Sequence, residues 1–181
     1  MAKKGGGGFG KLLLGFLFGV AAVLAAGYAW LYFGDLPVAV SDAALPFEKQ
    51  LVRVPLHQRI AREKKEPPFG PSEDAFEGGA RVYRVQCAAC HGTPSHDASF
   101  AHNMFPPAPP LWKKHGRRGV VGVSDDDAGV TYWKIANGIR LTGMPAYKGA
   151  LSDTEMWQVA VLLKNADQDL PDPVRNILNG K

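Results

Sequence analysis

The 181-residue chain contains only two cysteines, Cys87 and Cys90, and that scarcity excludes a good deal. With no second pair, a structural zinc site would need His96 or His102 to complete its closed set of four ligands. A disulfide between residues so close would close a tiny loop and stabilise little. Net charge is lacking as well, on the part that should fold. Through Ser72 there are nine Lys/Arg against five Asp/Glu, and from Glu73 onward twelve of each, so the formal net charge of +4 belongs to the N-terminal part. Nucleic-acid binding needs a basic face on the folded domain itself, and the balanced charge gives it no support. No cysteine stands directly after the one long apolar segment, which argues against lipid attachment at a processed N-terminus.

What the two cysteines do have is a setting: Cys87-Ala88-Ala89-Cys90-His91. Two thiols two residues apart with a histidine directly after form the attachment signature of a c-type haem. Each thiol forms a thioether to one vinyl group, and the histidine is held under the iron as proximal ligand. A redox-active dithiol is the competing reading, but such motifs sit at a helix N-terminus, where a thiol pKa falls. The run before Cys87 reads as helical, with the motif at its C-terminal end.

Residues 1–11 are a short basic, glycine-rich lead with Lys3, Lys4 and Lys11, and residues 12–33 are an uncharged apolar run. About 20 apolar residues cross a bilayer core as a helix. Trp30, Tyr32 and Phe33 cluster at the far end and the lysines at the near end, the arrangement expected of an anchor with its start in the cytoplasm. A cleaved signal peptide would have an apolar region of about 7–15 residues and a small-x-small site, for which Ala25-Ala26-Gly27 is a poor candidate. The expectation is a retained single-pass anchor in the cytoplasmic membrane, with the remainder on the extracytoplasmic side.

Residues 34–72 read as a linker punctuated by Pro37, Pro46, Pro55, Pro67, Pro68 and Pro71, which argue against any long uninterrupted helix. Phe47, Leu51 and Val54, then Leu56 and Ile60, repeat at helical spacing, so one or two short amphipathic helices are expected, lying on the globular domain or on the bilayer. As a flexible coil the linker would reach on the order of 35 Å.

Residues 73–167 read as three helices around a pocket. The first runs from an N-cap at Ser72 to the cysteines, with Gly79, Tyr83 and Cys87 on one face. The last starts at the capping box Ser152-Asp153-Thr154-Glu155, and its Trp157 is expected near Gly79 and Tyr83. A third spans about Asp125 to Asn137, capped by Ser124 and stopped by Asn137-Gly138. After that stop comes a loop holding Met144 between Gly143 and Pro145. A methionine thioether is the natural second axial ligand for an electron-carrying haem. Met104 is its rival, and His96, His102 and His115 leave a bis-histidine site open. The block Lys113 to Arg118 is a candidate docking patch. The tail, residues 168–181, with Pro171 and Pro173, carries little signal.

Together the Gly79 and Tyr83 helix, the attachment motif, Pro109-Pro110-Leu111, Asn137-Gly138 through Tyr147, and the capped last helix resemble a class I cytochrome c of the membrane-anchored, single-haem, bacterial kind. The resemblance implies an all-α domain with crossed N- and C-terminal helices around one covalent haem c, behind a single transmembrane helix. It implies haem attachment by Cys87 and Cys90, with His91 proximal and Met144 distal. The carbonyl receiving the proximal imidazole maps onto Pro109, with Leu111 against the haem edge. The expected function is one-electron transfer in a respiratory chain between redox protein partners, with no small-molecule substrate, no nucleic acid and no catalysis. A fixed subunit of a quinol-oxidising or terminal-oxidase complex is the alternative, followed by a gas-sensing haem. A single attachment motif argues against a two-haem peroxidase.

Overall fold

An uninterrupted apolar run has no reason to leave the helical state in lipid, where backbone groups must be satisfied internally. The computed structural model describes residues 8–181, and its first helix, α1 (Gly8–Phe33), contains the whole expected span and starts four residues ahead of it. All of its residues are exposed, and it is long and apolar enough to cross a membrane. Lys3 and Lys4 lie outside the described residues. The chain divides into two units, one ending at Leu45 and one from Pro46 to Lys181.

In the second unit, α2 (Glu48–Glu63) runs straight through Pro55. An internal proline costs about 3 kcal/mol, and the expectation of interrupted short helices fails because tertiary contacts hold the far half. Ile60 is 3% exposed, Glu63 accepts a 2.9 Å hydrogen bond from Trp133 Nε1, and the Arg59 guanidinium lies 5.9 Å from the centroid of that indole. Just beyond the helix, Lys64 pairs with Asp127. The linker is thus partly docked, not a free coil.

Next come α3 (Glu73–Gln86) and the single turn α4 (Ala88–His91). Ser72 caps α3 by accepting from Ala75 N. A two-stranded antiparallel hairpin, β1 (Lys114–His115) with β2 (Val120–Val121), precedes α5 (Ala128–Asn137). The start of α5 differs from the expected one: Asp127 is the cap, accepting from Gly129 N at 3.0 Å, while Asp125 and Asp126 lie in the preceding turn. Ser124 is buried and offers its carbonyl to Lys164 Nζ instead. The helix α6 (Asp153–Lys164) starts at the full capping box of Ser152 and Glu155.

Crossing of α3 and α6 forms the centre of the core, and Gly79 makes it possible. A Cβ there would stand 2.4 Å from the Gln158 carbonyl oxygen, so only glycine lets the two backbones come this close. Tyr83, one turn on, is fully buried and meets Trp112 edge-on. Trp157 stacks on Tyr132 of α5, 4.0 Å between centroids, and the backbone of its neighbour Gln158 is what stands directly beside Gly79. The tail that carried little signal forms α7 (Asp172–Asn179), which packs on α3 and buries Val174 and Leu178 completely. Pro173 sits in its first turn, where the missing N–H costs nothing.

Candidate functional site

Burial on three sides leaves an apolar cavity between α3/α4, α5, α6 and the loop after α5. Cys87, Cys90, His91, Leu111, Pro109 and Met144 all line it. Cys87 closes α3 by donating its N–H to Tyr83 O at 2.9 Å, and His91 N donates to Cys87 O at 2.9 Å. Residues 87, 90 and 91 thereby occupy positions i, i+3 and i+4 of one helical turn and share a face. Gly92 then ends the turn at φ 74°, and its carbonyl accepts from the buried Tyr83 hydroxyl at 2.8 Å.

His91 Nδ1 lies 2.8 Å from the Pro109 carbonyl oxygen, and Leu111 N donates to His91 O at 3.3 Å. A carbonyl on Nδ1 selects the tautomer with the proton there, leaving Nε2 as the nitrogen with a free lone pair. Burial holds the imidazole pKa down against the opposing effect of the Pro109 carbonyl, so the ring stays neutral and able to bind a metal. Burial, helped by Cys90, pushes the Cys87 thiol up to about 12. That is the reverse of what a redox-active dithiol needs. Among the described residues no three His, Cys, Asp or Glu side chains gather as a metal-binding group, so neither His96 nor His102 completes a zinc site.

Further along the chain, Met144 sits half-buried in the loop that follows Gly138. Gly138 has φ 65°, and a Cβ there would come within 2.8 Å of the Pro145 and Ala146 backbone, so the stop signal of α5 also lets the loop fold back. The Thr142 hydroxyl donates to Ile139 O at 2.7 Å and accepts from Met144 N at 3.1 Å. Tyr147 also lines the cavity and donates its hydroxyl to Gln86 O at 2.8 Å, beside the cysteines. Met104 reaches the same cavity, its methyl against Gly143. Met156, on α6, is packed in the core and does not line the cavity.

His96, His102 and His115 do not line the cavity; His96 Nδ1 bonds Ser95 and His115 Nε2 bonds the Gly122 carbonyl. Lys114 to Arg118 lie on the exposed hairpin, and Lys113 pairs with Asp97. Of the two tryptophans near this region, Trp133 is committed to Glu63, whereas the buried Trp112 Nε1, next to cavity-lining Leu111, has no hydrogen-bond partner.

Residues 74–163 match a family model described as cytochrome C oxidase, cbb3-type, subunit III. These residues form a c-type cytochrome domain. No curated protein and no solved structure matches the chain. The matched stretch contains the attachment motif, the Gly79 crossing and Met144, and it ends within α6. The cytochrome domain is all-α apart from one short hairpin and follows an apolar N-terminal helix suited to membrane anchoring, and its match to an oxidase cytochrome model points to haem c and electron transfer. Thr142, Tyr147 and the cavity-lining Ile135, Val159 and Leu163 of α5 and α6 are the site residues that the sequence did not single out. The apolar periodicity of the two helices was their signal, but it does not distinguish a cavity wall from ordinary core.

Proposed function

We propose that the cytochrome domain transfers single electrons through one covalent haem c, attached by Cys87 and Cys90 and ligated axially by His91 and Met144. The observation that carries this reading is the convergence of both thiols, the neutral imidazole and the thioether on one apolar cavity. A haem c bound there supplies a reversible ferric/ferrous couple. Pro109 fixes the orientation of His91, which aims Nε2 and raises its basicity. Met144 contributes a soft, neutral donor that favours the ferrous state. Leu111, Ile135, Val159 and Leu163 keep water out, and a dry apolar wall disfavours the extra positive charge of the ferric state, which raises the potential.

With α1 as a single-pass anchor, the domain stands outside the cytoplasm, where thioether attachment takes place. Its redox partners are proteins, and the exposed hairpin Lys114, Arg117 and Arg118 offers a cationic surface for steering one of them. The test is the midpoint potential of the Met144→His variant, which should fall while covalent haem is retained; an unchanged potential would remove Met144 from the ligand set.

A second reading is favoured by the family match itself, whose description is that of an oxidase subunit: the domain would be a fixed haem subunit of a respiratory complex. Solubilisation in mild detergent separates the two. A mobile carrier leaves the membrane extract alone, and a subunit co-purifies with its complex in fixed ratio.

A further inference from the structure

Two thioethers line the cavity, and the axial ligation proposed for the haem uses only Met144. The other, Met104, belongs to a segment tied to the attachment turn. Beyond Gly92, Thr93 N donates to His96 O at 2.8 Å. A Cβ on Gly92 would stand 2.8 Å from that same oxygen, so the chain folds back tightly on the turn that carries Cys90 and His91. The 3-10 turn Ser99–Asn103 packs on α4 and buries Ala101. Met104 follows, donating its N–H to Ala101 O at 3.3 Å, and lines the cavity with Pro106 and Pro107.

What Met104 meets is the backbone immediately before Met144. A Cβ on Gly143 would stand 2.0 Å from Met104 Cε and 3.7 Å from its Sδ. Among the described residues, chain neighbours aside, no other atom would lie within 4 Å of it. The Met104 methyl thus occupies the place where residue 143 would carry a side chain. The loop it touches is strained: Leu141 has φ 63°, a left-handed conformation that a Cβ makes unfavourable, and its side chain is 81% exposed and packs on little in return. Such a residue persists only where the surrounding structure over-determines it. The Thr142 bonds act from within the loop, whereas Met104 acts on it from outside.

We propose that Met104 is a positioning residue for the axial thioether: its methyl, seated on Gly143, fixes the backbone from which Met144 reaches the iron. The inference deepens the assignment of Met144 as ligand and rests on it. Because Met104 is carried by the segment that folds back on the turn of His91, its seat couples the two sides of the cavity. A methionine side chain is flexible, and the room into which this one could swing is the cavity it lines. A haem c bound there takes that room and holds the methyl on Gly143. A side chain at 143 would expel the methyl or push the loop away.

The test uses the full-length haem-loaded chain in the ferric state. Two quantities are read: the charge-transfer absorption of thioether-ligated ferric haem, and the Kd of cyanide, a small competitor that displaces the thioether. Met104→Ala should weaken the band and lower the cyanide Kd several-fold. Met104→Leu, which conserves volume without the sulfur, should stay close to the parent. Gly143→Ala alone should also lower the Kd, but added to Met104→Ala it should raise it again, because the new Cβ fills the vacancy. That reversal of sign is the coupling expected of two residues in contact. The band and Kd of the parent in Met104→Ala would overturn the proposal. So would a Met104→Leu variant as damaged as Met104→Ala, which assigns the role to the sulfur, or an equal fold-change from Gly143→Ala in both backgrounds, which means that the two do not touch. In each of these cases loss of the band in Met144→Ala keeps Met144 as ligand. A band that survives Met144→Ala and vanishes in Met104→Ala makes Met104 the ligand, and removes the assignment and the proposal together.

Discussion

The two ends of the haem cavity are held in different ways. Around His91 the bonds reach across the fold: Nδ1 to Pro109, the His91 carbonyl to Leu111, and the Tyr83 hydroxyl to Gly92 from inside the core. Around Met144 they are local: Thr142 bonds Ile139 and Met144, and Ile139 N bonds Met144 O at 3.3 Å, all within one six-residue loop. Just beyond the loop, Tyr147 ties across to Gln86. The His91 side is therefore positioned by the whole domain, while the Met144 side is a braced surface loop. A ligand lost under stress or competition should be lost from the distal side.

Breaking the proximal side should have the largest effect. With Cys87→Ala and Cys90→Ala combined, no haem should survive acid-acetone extraction of the denatured chain, whereas the parent should retain it. Next comes the support behind that wall. In Gly79→Val the new Cβ would collide with the Gln158 carbonyl at 2.4 Å, and overpacking of this kind costs about 1–3 kcal/mol. Thermal unfolding of the haem-loaded variant should shift down accordingly; an unchanged midpoint would mean that α3 and α6 do not cross there. The smallest effect belongs to the distal brace. Thr142→Ala removes two part-buried hydrogen bonds, each worth about 0.5 kcal/mol where water can replace the lost partner, so the unfolding midpoint should fall less than in Gly79→Val while carbon monoxide gains access to the reduced haem. Equal loss at both sides would erase the distinction between them.

How legible each side was in the sequence follows the same division between local and distant causes. The attachment turn, the Ser72 cap and the Ser152 capping box depend on residues within four positions of one another, and each formed where its signal stood. The Gly79 crossing was legible because an interior glycine has few other uses. Distant causes were not. Helix α2 survives Pro55 because Trp133, seventy residues on, accepts it as a partner. Helix α7 has only eight residues and packs on α3, a distant contact that the tail with its two prolines could not announce. Ser124 and Asp127 are both good caps in isolation, and the choice between them depended on Lys164 and Lys64. The same limit applies to the cavity, where Met104 and Met144 both arrive and chain position alone favoured Met144 only through its loop.

The central claim, a haem held on both faces by protein ligands, is tested most directly by the visible spectrum of the dithionite-reduced chain before and after carbon monoxide. The account predicts no change, because Met144 keeps the sixth position against a strong competitor. A clear shift to a carbon-monoxide complex in the unmodified protein would contradict it and make the distal position an open binding site.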